Sequence, residues 1–283
     1  MNKDQQKQMA ADFLALHHAP TILLLPNAWD VASAKVFELE GFKAIATTSA
    51  GIAATLGYPD VQRMSLTENL EVVQRMINHT TLPVSVDIEA GYATSIAGVV
   101  KAAQAVLGAG AVGLNLEDGT GDPTTPLFEK ALQQEKIKAI REMSMAKGIH
   151  LVINARTDVV MINGDSPQSL REAISRGNAY KEAGADCIFV PDIGNLDKKS
   201  IAMLVKEIDA PVNILAGATT PPIAELQEIG VARVSVGPRP MRAVLSLLRK
   251  IAKELMTAGT YKLMSESSIS YSEVNQWFSE RKV

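Results

Sequence analysis

Two carboxylates stand two residues apart where a short apolar stretch of the sequence ends. Residues 83–92 read PVSVDIEAGY, which is typical of a buried β-strand that stops at acidic residues followed by glycine. Because successive side chains of a strand alternate between its faces, Asp87 and Glu89 are predicted to point to the same side. Two buried carboxylates are costly unless a cation joins them, so the pair predicts a metal ion or a basic partner.

The residue types indicate which metal the pair would bind. Carboxylate oxygens with no His or Cys nearby in the sequence favour Mg²⁺ or Mn²⁺ over zinc. The alternative is that Asp87 and Glu89 are solvated loop acids that cap the next helix. Spacing alone leaves both interpretations open.

Other segments end in residues suited to the same chemistry. Residues 112–119 read VGLNLEDG and place Glu117 at the end of another apolar stretch. Arg156 follows a third one and is predicted to bind a substrate carboxylate through two hydrogen bonds, the alternative being a salt bridge to a nearby acid. Ser49-Ala50-Gly51 offers backbone N–H groups to a carboxylate or oxyanion, although the same residues also fit an ordinary turn.

The elements that must position these residues repeat along the chain. Gly41, Gly110, Gly184 and Gly230 each follow a helical stretch and precede an apolar one, which is typical of a left-handed helix cap before a strand. The predicted strands lie near residues 21–25, 44–48, 84–88, 112–116, 151–155, 187–190, 212–215 and 233–236. Eight alternating units favour a (β/α)₈ TIM barrel, with a doubly wound open sheet as the alternative.

Active sites of such barrels lie at the carboxyl ends of the strands. The residues predicted there are Asn27, Trp29, Asp30, Ser49, Ala50, Gly51, Asp87, Glu89, Asn115, Glu117, Asp118, Asn154, Arg156, Asp158, Asp192, Asn213 and Arg239. Acids dominate this set, and Arg156 is interpreted as its one well-placed base. The four histidines fall outside it, and we assign none of them a catalytic role.

The whole chain, residues 1–283, is interpreted as one domain because no linker rich in Pro, Gly or Ser divides it. The barrel is expected over about residues 20–240 and a helical tail over 241–283. In the tail, residues 241–256 predict an amphipathic helix, and a second helix is predicted to start at a cap, Ser272. Because the barrel closes without this tail, we expect the tail to pack against another subunit.

Composition excludes several classes of partner. The net charge of −3 and the isoelectric point near 5.9 give no electrostatic case for nucleic acid or an anionic membrane. No Walker or dinucleotide-binding glycine motif is present. Cys187 is the single cysteine and is predicted to be a buried core residue, so we expect a reducing cytoplasm. No signal core or membrane span is evident, which predicts an untargeted soluble protein.

Six motifs resemble, in order, those of the isocitrate lyase / phosphoenolpyruvate mutase superfamily. They are PNAWD at 26–30, TSAG at 48–51, LGYPD at 56–60, VDIEAGY at 86–92, NLED at 115–118 and NARTD at 154–158. The resemblance implies a (β/α)₈ barrel and a likeness that runs over about residues 20–240. It is specific for the superfamily and much less so for the reaction.

The resemblance also implies roles for individual residues. Mg²⁺ would be held mainly by Asp87, while Glu89, Asp60 and Glu117 would support it largely through metal-bound water. The backbone at Ser49, Ala50 and Gly51 would bind an α-oxo carboxylate or its enolate, and Arg156 would hold a second carboxylate or leaving group. Trp29 and Asn154 lie in the same motifs and are expected to contact the substrate. Exchange of C-terminal helices, with residues 271–278 contributing, would give a homotetramer.

Two features depart from the superfamily pattern. The metal strand of the superfamily usually reads Asp-x-Asp, whereas this one reads Asp87-Ile-Glu89. Isocitrate and methylisocitrate lyases carry a KKCGH loop after the position of Glu117, and phosphoenolpyruvate mutases carry lysine and Asn-Ser. Here residues 118–126 read DGTGDPTTP. Without the loop cysteine, isocitrate cleavage lacks its proton donor and is disfavoured.

We therefore expect a Mg²⁺-dependent lyase or decarboxylase that acts on a small α-oxo or 2-hydroxy carboxylate through an enolate. Arg156, Glu117 and Asp60 are its expected catalytic residues. One alternative is a phosphonomutase or another C–P bond enzyme, which would need a basic phosphate site. The other is a barrel that binds oxo acids without turnover.

Overall fold

The computed structural model describes residues 1–192, 196–266 and 268–279 and contains one all-parallel sheet curled into a barrel. Its strands are β1 Leu23–Leu25, β2 Asn27–Ala28, β3 Ile45–Thr47, β4 Val84–Asp87, β5 Gly113–Glu117, β6 Val152–Arg156, β7 Cys187–Val190, β8 Val212–Leu215 and β9 Arg233–Ser235. The strand order is β1-β9-β8-β7-β6-β5-β4-β3-β2.

The nine strands occupy eight positions of the barrel, because β1 and β2 are two halves of one strand. Pro26 separates them and has no backbone N–H to give to a ladder, but its carbonyl still accepts a hydrogen bond from the Ala46 backbone at 2.9 Å. β1 pairs with β9 and β2 pairs with β3, so the two ends of the sheet meet at this proline. The predicted TIM barrel is confirmed, and the open-sheet alternative is wrong.

Helices surround the barrel and extend beyond it. They are α1 Lys3–Leu16, α2 Val31–Leu39, α3 Ser49–Leu56, α4 Leu66–His79, α5 Ile96–Gly108, α6 Lys130–Lys147, α7 Val159–Asn163, α8 Pro167–Glu182, α9 Lys198–Glu207, α10 Ile223–Ile229, α11 Arg239–Thr257, α12 Lys262–Glu266 and α13 Tyr271–Trp277. Among the described residues, no helix is both long and apolar enough to cross a membrane.

Local sequence signals account for most of these boundaries. All eight predicted strands are confirmed to within two residues. The four glycines predicted to end helices have positive φ angles, from 84° at Gly41 to 109° at Gly184, where a side chain would be strained. The prediction of a helix cap at Ser272 is wrong: Ser270 caps α13, because its side chain accepts the backbone N–H of Glu273.

The two ends of the barrel differ in composition. At the amino end, α1 inserts Phe13, and a Cβ on Gly113 would lie only 2.7 Å from the Phe13 ring, so glycine is needed where this helix meets β5. The interior is polar further along the strands, where Asn154 of β6 is buried, and Arg233 is buried at the start of β9. The amino end of the barrel is therefore filled by apolar packing where α1 meets β5, whereas polar side chains enter its interior towards the carboxyl end.

The tail leaves an apolar face uncovered by the described residues. The predicted amphipathic helix is present as α11, but the stripe expected to be apolar is exposed: Val244 is 54% exposed and Leu248 is 59% exposed. Met241 is the one buried residue of the helix. An exposed face of this kind is typical of a surface that packs against another chain.

Candidate active site

A cavity of about 450 Å³ opens at the carboxyl ends of the strands, where the sequence predicted the active site. Its wall combines the start of α3, the ends of β4 and β6, and the segment that joins β9 to α11. Of the predicted site residues it includes Ser49, Ala50, Asp60, Asp87, Asn154 and Arg156. A narrower cleft beside it shares Ser49, Asp60 and Arg156 and adds Glu89 and Glu117.

Asp87 is the last residue of β4 and presents its carboxylate to the cavity. One carboxylate oxygen accepts hydrogen bonds from the Ser49 hydroxyl at 2.8 Å and the Ser49 backbone at 3.3 Å. The other accepts from the Asn115 amide at 3.0 Å and from the Glu89 backbone at 3.1 Å. Four donors thus orient the carboxylate without supplying a full positive charge.

These bonds also orient two buried amides. Because the Asp87 carboxylate only accepts hydrogen bonds, Asn115 must turn its NH₂ group towards it, which leaves the Asn115 oxygen to accept from the Asn154 amide at 2.9 Å. Asn154 is 1% exposed, and its side-chain oxygen has no protein partner. That oxygen is therefore an unused acceptor on a residue that lines the cavity.

Ser49, Ala50 and Gly51 form the first turn of α3, whose N-cap is Thr48. Ser49 and Ala50 line the cavity, whereas Gly51 and Trp29 are not part of its wall. A Cβ on Gly51 would lie 2.6 Å from a Thr48 carbon and 2.8 Å from the Trp29 Cβ. Glycine is thus required here for close packing, and Trp29 packs behind the turn. The substrate contacts predicted for Trp29 and Gly51 remain predictions.

Glu89 reaches the rim by a route that the sequence did not predict. β4 ends at Asp87, and Glu89 has a φ angle of 49°, so strand alternation does not apply to the pair. The Glu89 carboxylate accepts from the Gln62 backbone at 2.7 Å and from the Tyr92 hydroxyl at 3.3 Å. Burial, with the nearby charge of Asp87, raises the pKa of Glu89 to about 7.

Arg156 lines the cavity and is bonded to two acids. It contacts Glu117 at 2.8 Å and Asp158 at 2.6 Å and 3.2 Å. Despite desolvation, these acids raise the pKa of Arg156 above its ordinary value, so the guanidinium stays charged. Burial raises the pKa of Glu117 in spite of Arg156, because one arginine faces two carboxylates. Arg156 thus forms the salt bridges that were the alternative to a substrate-binding role, and its side chain also lines the cavity.

The loop of residues 118–126 is held by hydrogen bonds within itself. The Thr120 hydroxyl donates to the Thr125 carbonyl at 2.6 Å, and Asp122 accepts from the Thr124 backbone at 2.8 Å. An isolated bridge between Gly119 and Leu127 closes its base. The loop borders the cleft through Gly119 and Asp122, and Asp60 lies on the shared wall of cleft and cavity.

The carboxylates of the site suit a magnesium ion that takes only one or two of its ligands from the protein. Among the described residues, no three His, Cys, Asp or Glu side chains are placed to hold one metal ion. The predicted ligands Asp87, Glu89 and Glu117 therefore do not form one cluster, because Glu117 pairs with Arg156 and Glu89 is bonded to Gln62. Magnesium often uses one or two carboxylates and completes its shell with water and substrate oxygens. The arrangement fits such an ion at Asp87.

Two arginines of the cavity wall, Arg233 and Arg242, were not predicted, and they accompany Arg239, which was. Arg233, Arg239 and Arg242 line the side formed by β9 and the start of α11. The interpretation of Arg156 as the one well-placed base is therefore wrong. A signal was present in the sequence, since Arg233 interrupts an otherwise apolar strand segment, VARVSV, at residues 231–236.

Comparison with known proteins agrees with this geometry. Residues 13–256 match the sequence profile of the phosphoenolpyruvate phosphomutase family. The chain belongs to that family. It is 37% identical over 235 residues to an uncharacterised protein of Mycobacterium tuberculosis H37Rv, covering 82% of this chain and 84% of the relative. It is 29% identical over 265 residues to the 2-methylisocitrate lyase of Halalkalibacterium halodurans, covering 90% of this chain and 84% of the relative.

Solved structures of the superfamily share the fold of this family member. A candidate lyase/mutase from Burkholderia cenocepacia J2315 superposes with a TM-score of 0.90 at 32% identity, covering 98% of both chains. A phosphonopyruvate hydrolase in complex with oxalate and Mg²⁺ superposes with a TM-score of 0.84 at 22% identity, covering 96% of this chain and 95% of the other. The resemblance to the isocitrate lyase / phosphoenolpyruvate mutase superfamily is confirmed.

Proposed function

We propose that the protein is a Mg²⁺-dependent lyase that cleaves a C–C bond of a small α-oxo or 2-hydroxy carboxylate, or decarboxylates it, through an enolate. The observation that carries the proposal is the Asp87 carboxylate, held at the cavity wall by the Ser49 and Asn115 side chains. Family membership supports an enzyme, because relatives include 2-methylisocitrate lyase and 2,3-dimethylmalate lyase. Magnesium is supported by the phosphonopyruvate hydrolase complex that contains it.

The residues around Asp87 suit a reaction that develops negative charge on oxygen. Bound magnesium would supply positive charge beside the enolate oxygen. Asp87 would hold the ion, and Ser49 and Asn115 would keep its carboxylate in one orientation. The first turn of α3 adds the positive end of a helix dipole at the same wall. Asn154 offers its free oxygen as an acceptor for a substrate hydroxyl.

Arg156, Glu117 and Asp60 complete the proposed catalytic set. Arg156 would bind the leaving group or a second carboxylate, and Glu117 and Asp158 fix the direction of its guanidinium. Asp60 lies where the cavity meets the cleft and would orient a water molecule there. Each role requires a side chain at the wall of the cavity or of the cleft beside it. Arg156 and Asp60 line both, and Glu117 lines the cleft.

Decarboxylation is the preferred reaction because it asks least of the protein. Residues 118–126 contain no Cys, His or Lys, so this loop brings no proton donor of the kind that isocitrate cleavage needs. Loss of CO₂ from a β-oxo acid leaves an enolate that solvent can protonate. Stabilisation of that enolate is then the main demand on the site.

C–P bond chemistry is the second candidate, and one observation favours it. Arg233, Arg239 and Arg242 give the cavity a basic side, which a phosphonate would need. The acidic loop beside Glu117 contains no lysine and favours the first candidate.

The metal site is tested by calorimetry with Mg²⁺ in the presence and absence of oxalate, a mimic of the pyruvate enolate. We expect the unmodified protein to bind Mg²⁺ and oxalate together. Asp87→Ala should lose both this binding and turnover, while its melting temperature stays close to that of the unmodified protein. Asp12→Asn, an exposed aspartate of α1, is the control. Unchanged magnesium affinity in Asp87→Ala would show that Asp87 is not the ligand.

The reaction is tested with a panel of C4 to C7 oxo and hydroxy acids. Metal-dependent release of pyruvate or CO₂ is the expected result. Release of inorganic phosphate from a phosphonate would instead support the C–P candidate. Binding of oxo acids without any product would favour the barrel that binds without turnover.

A further inference from the structure

The cavity reaches a buried arginine that has no acidic partner. Arg233 is the first residue of β9, is 2% exposed and lines the cavity. None of the ion pairs among the described residues includes it. Its Nε atom has no hydrogen-bond partner. A buried guanidinium costs free energy unless an anion accompanies it, so this side chain points to a ligand.

A neutral histidine orients Arg233 without neutralising it. The Nδ1 atom of His17 lies 2.9 Å from the Phe13 carbonyl, which can only accept, so the ring proton belongs on Nδ1. The Nε2 lone pair is then free to accept from the Arg233 guanidinium at 3.4 Å. Burial lowers the pKa of Arg233 to about 10, which leaves it charged at neutral pH.

Two further buried donors have no hydrogen-bond partner, one on the strand beside Arg233 and one on the cavity wall. Asn213 pairs in register with Arg233 on the adjacent strand, is fully buried, and has a side-chain NH₂ group with no partner. The Ser85 hydroxyl is also buried without a partner and lines the cavity. Buried polar groups nearly always have hydrogen-bond partners, so several unpaired donors beside one buried cation indicate a missing acceptor.

The charge of the cavity is divided between two sides. Asp60 and Asp87 lie at the α3–α4 segment and the end of β4, whereas Arg233, Arg239 and Arg242 lie on β9 and α11, with Asp192 between the two groups after β7. Arg239 packs its guanidinium about 3.0 Å from the position a Cβ of Gly217 would occupy, so glycine makes room for it. A ligand with a metal-binding head and an anionic end matches this division.

We infer that Arg233, with Ser85, forms a subsite for the second anionic group of the substrate, a carboxylate remote from the reacting carbon. The inference rests on the proposed function, because it places the far end of the same substrate. It assigns the second carboxylate to Arg233 and leaves Arg156, which already bonds Glu117 and Asp158, to the leaving group. The substrate class is then a dianion.

The test compares acids that differ only in the remote group, with magnesium present. Malate and 2-hydroxybutyrate form one pair, and 2-hydroxyglutarate and 2-hydroxyvalerate form a longer one, each replacing a carboxylate by a methyl group. We expect calorimetry to show that the unmodified protein prefers the dianion of at least one pair by about tenfold or more. Arg233→Met should remove that preference and leave the monoanion's affinity unchanged, while Arg233→Lys should retain part of it.

Arg75→Met is the matched control, because this arginine is exposed on α4 and does not line the cavity. Its loss should change the preference by less than about threefold, since solvent screens an exposed charge. If Arg233→Met does not fold, Ser85→Ala removes one donor of the subsite and should lower the preference severalfold.

Two results would overturn the inference: an unmodified protein with no preference for a dianion in either pair, or an Arg233→Met protein that keeps the preference. Oxalate binding separates this failure from failure of the proposed function. Loss of magnesium–oxalate binding with the preference intact would remove the proposed function and leave the subsite, whereas the reverse pattern would remove only the subsite.

Discussion

At the scale of single residues, His17 links stability to pH. Burial, reinforced by the charge of Arg233, lowers the pKa of His17 to about 3, against an ordinary value of 6.5. Between pH 3 and 6.5 the unfolded chain therefore binds a proton that the folded chain excludes. The stability contributed by neutral His17 is fully present above pH 6.5 and is lost as the pH falls, by about 1.4 kcal/mol per pH unit.

Urea unfolding of the unmodified protein and of His17→Gln between pH 7.5 and 4.5 measures this effect. His17→Gln should be less stable at pH 7.5 but should lose less stability on acidification. Arg233, Asp186 and His18 are the charged or titratable groups that act on His17, and exposed His18→Gln is the control. Equal pH slopes in the unmodified protein and His17→Gln would contradict the prediction.

At the scale of elements, Asp118 connects the end of β5 to α7 and α8. One carboxylate oxygen accepts from the Asp158 backbone at 2.8 Å, and the other accepts from the Tyr180 hydroxyl at 2.7 Å and from Arg176 at 3.1 Å. Asp118 is fully buried, so Asp118→Ala leaves the buried Arg176 without its one buried carboxylate partner. We expect a loss of about 3–5 kcal/mol in the free energy of unfolding.

The same arginine provides the control for Asp118. Glu172 contacts Arg176 at 2.8 Å, but its side chain is 45% exposed. Glu172→Ala should therefore cost no more than about 1 kcal/mol, because solvent screens the pair. Urea unfolding compares the two variants directly, and similar losses would show that Asp118 does not join these elements.

At the scale of the whole molecule, the tail is expected to join subunits. Tyr271 of α13 is 87% exposed, and α11 exposes Val244 and Leu248. Deleting residues 271–283 should lower the oligomeric state, measured by light scattering after gel filtration. Deleting 280–283 alone is the control and should leave the mass unchanged. A truncated chain that elutes with the full-length mass would show that the tail has no such role.

Sequence patterns predicted the barrel well because strand and helix signals are local. Apolar stretches and cap glycines act over a few residues, so all eight strand positions could be predicted. The strand-end rule likewise placed Asp87, Asn154 and Arg156 at one cavity. The rule was less successful for Glu89, because a positive φ angle beyond the strand breaks the alternation on which the prediction relied.

Local patterns in the chain were enough to predict the order of elements, the family, and an acidic residue at the end of the third predicted strand, which is β4 of the structure. Folding in three dimensions was needed to show that Glu117 pairs with Arg156, that the Asn115 amide connects Asp87 to Asn154, and that a buried arginine lines the cavity. The physical reason is that these contacts depend on strand register and barrel closure. Those bring together side chains that are far apart along the chain, such as His17 and Arg233.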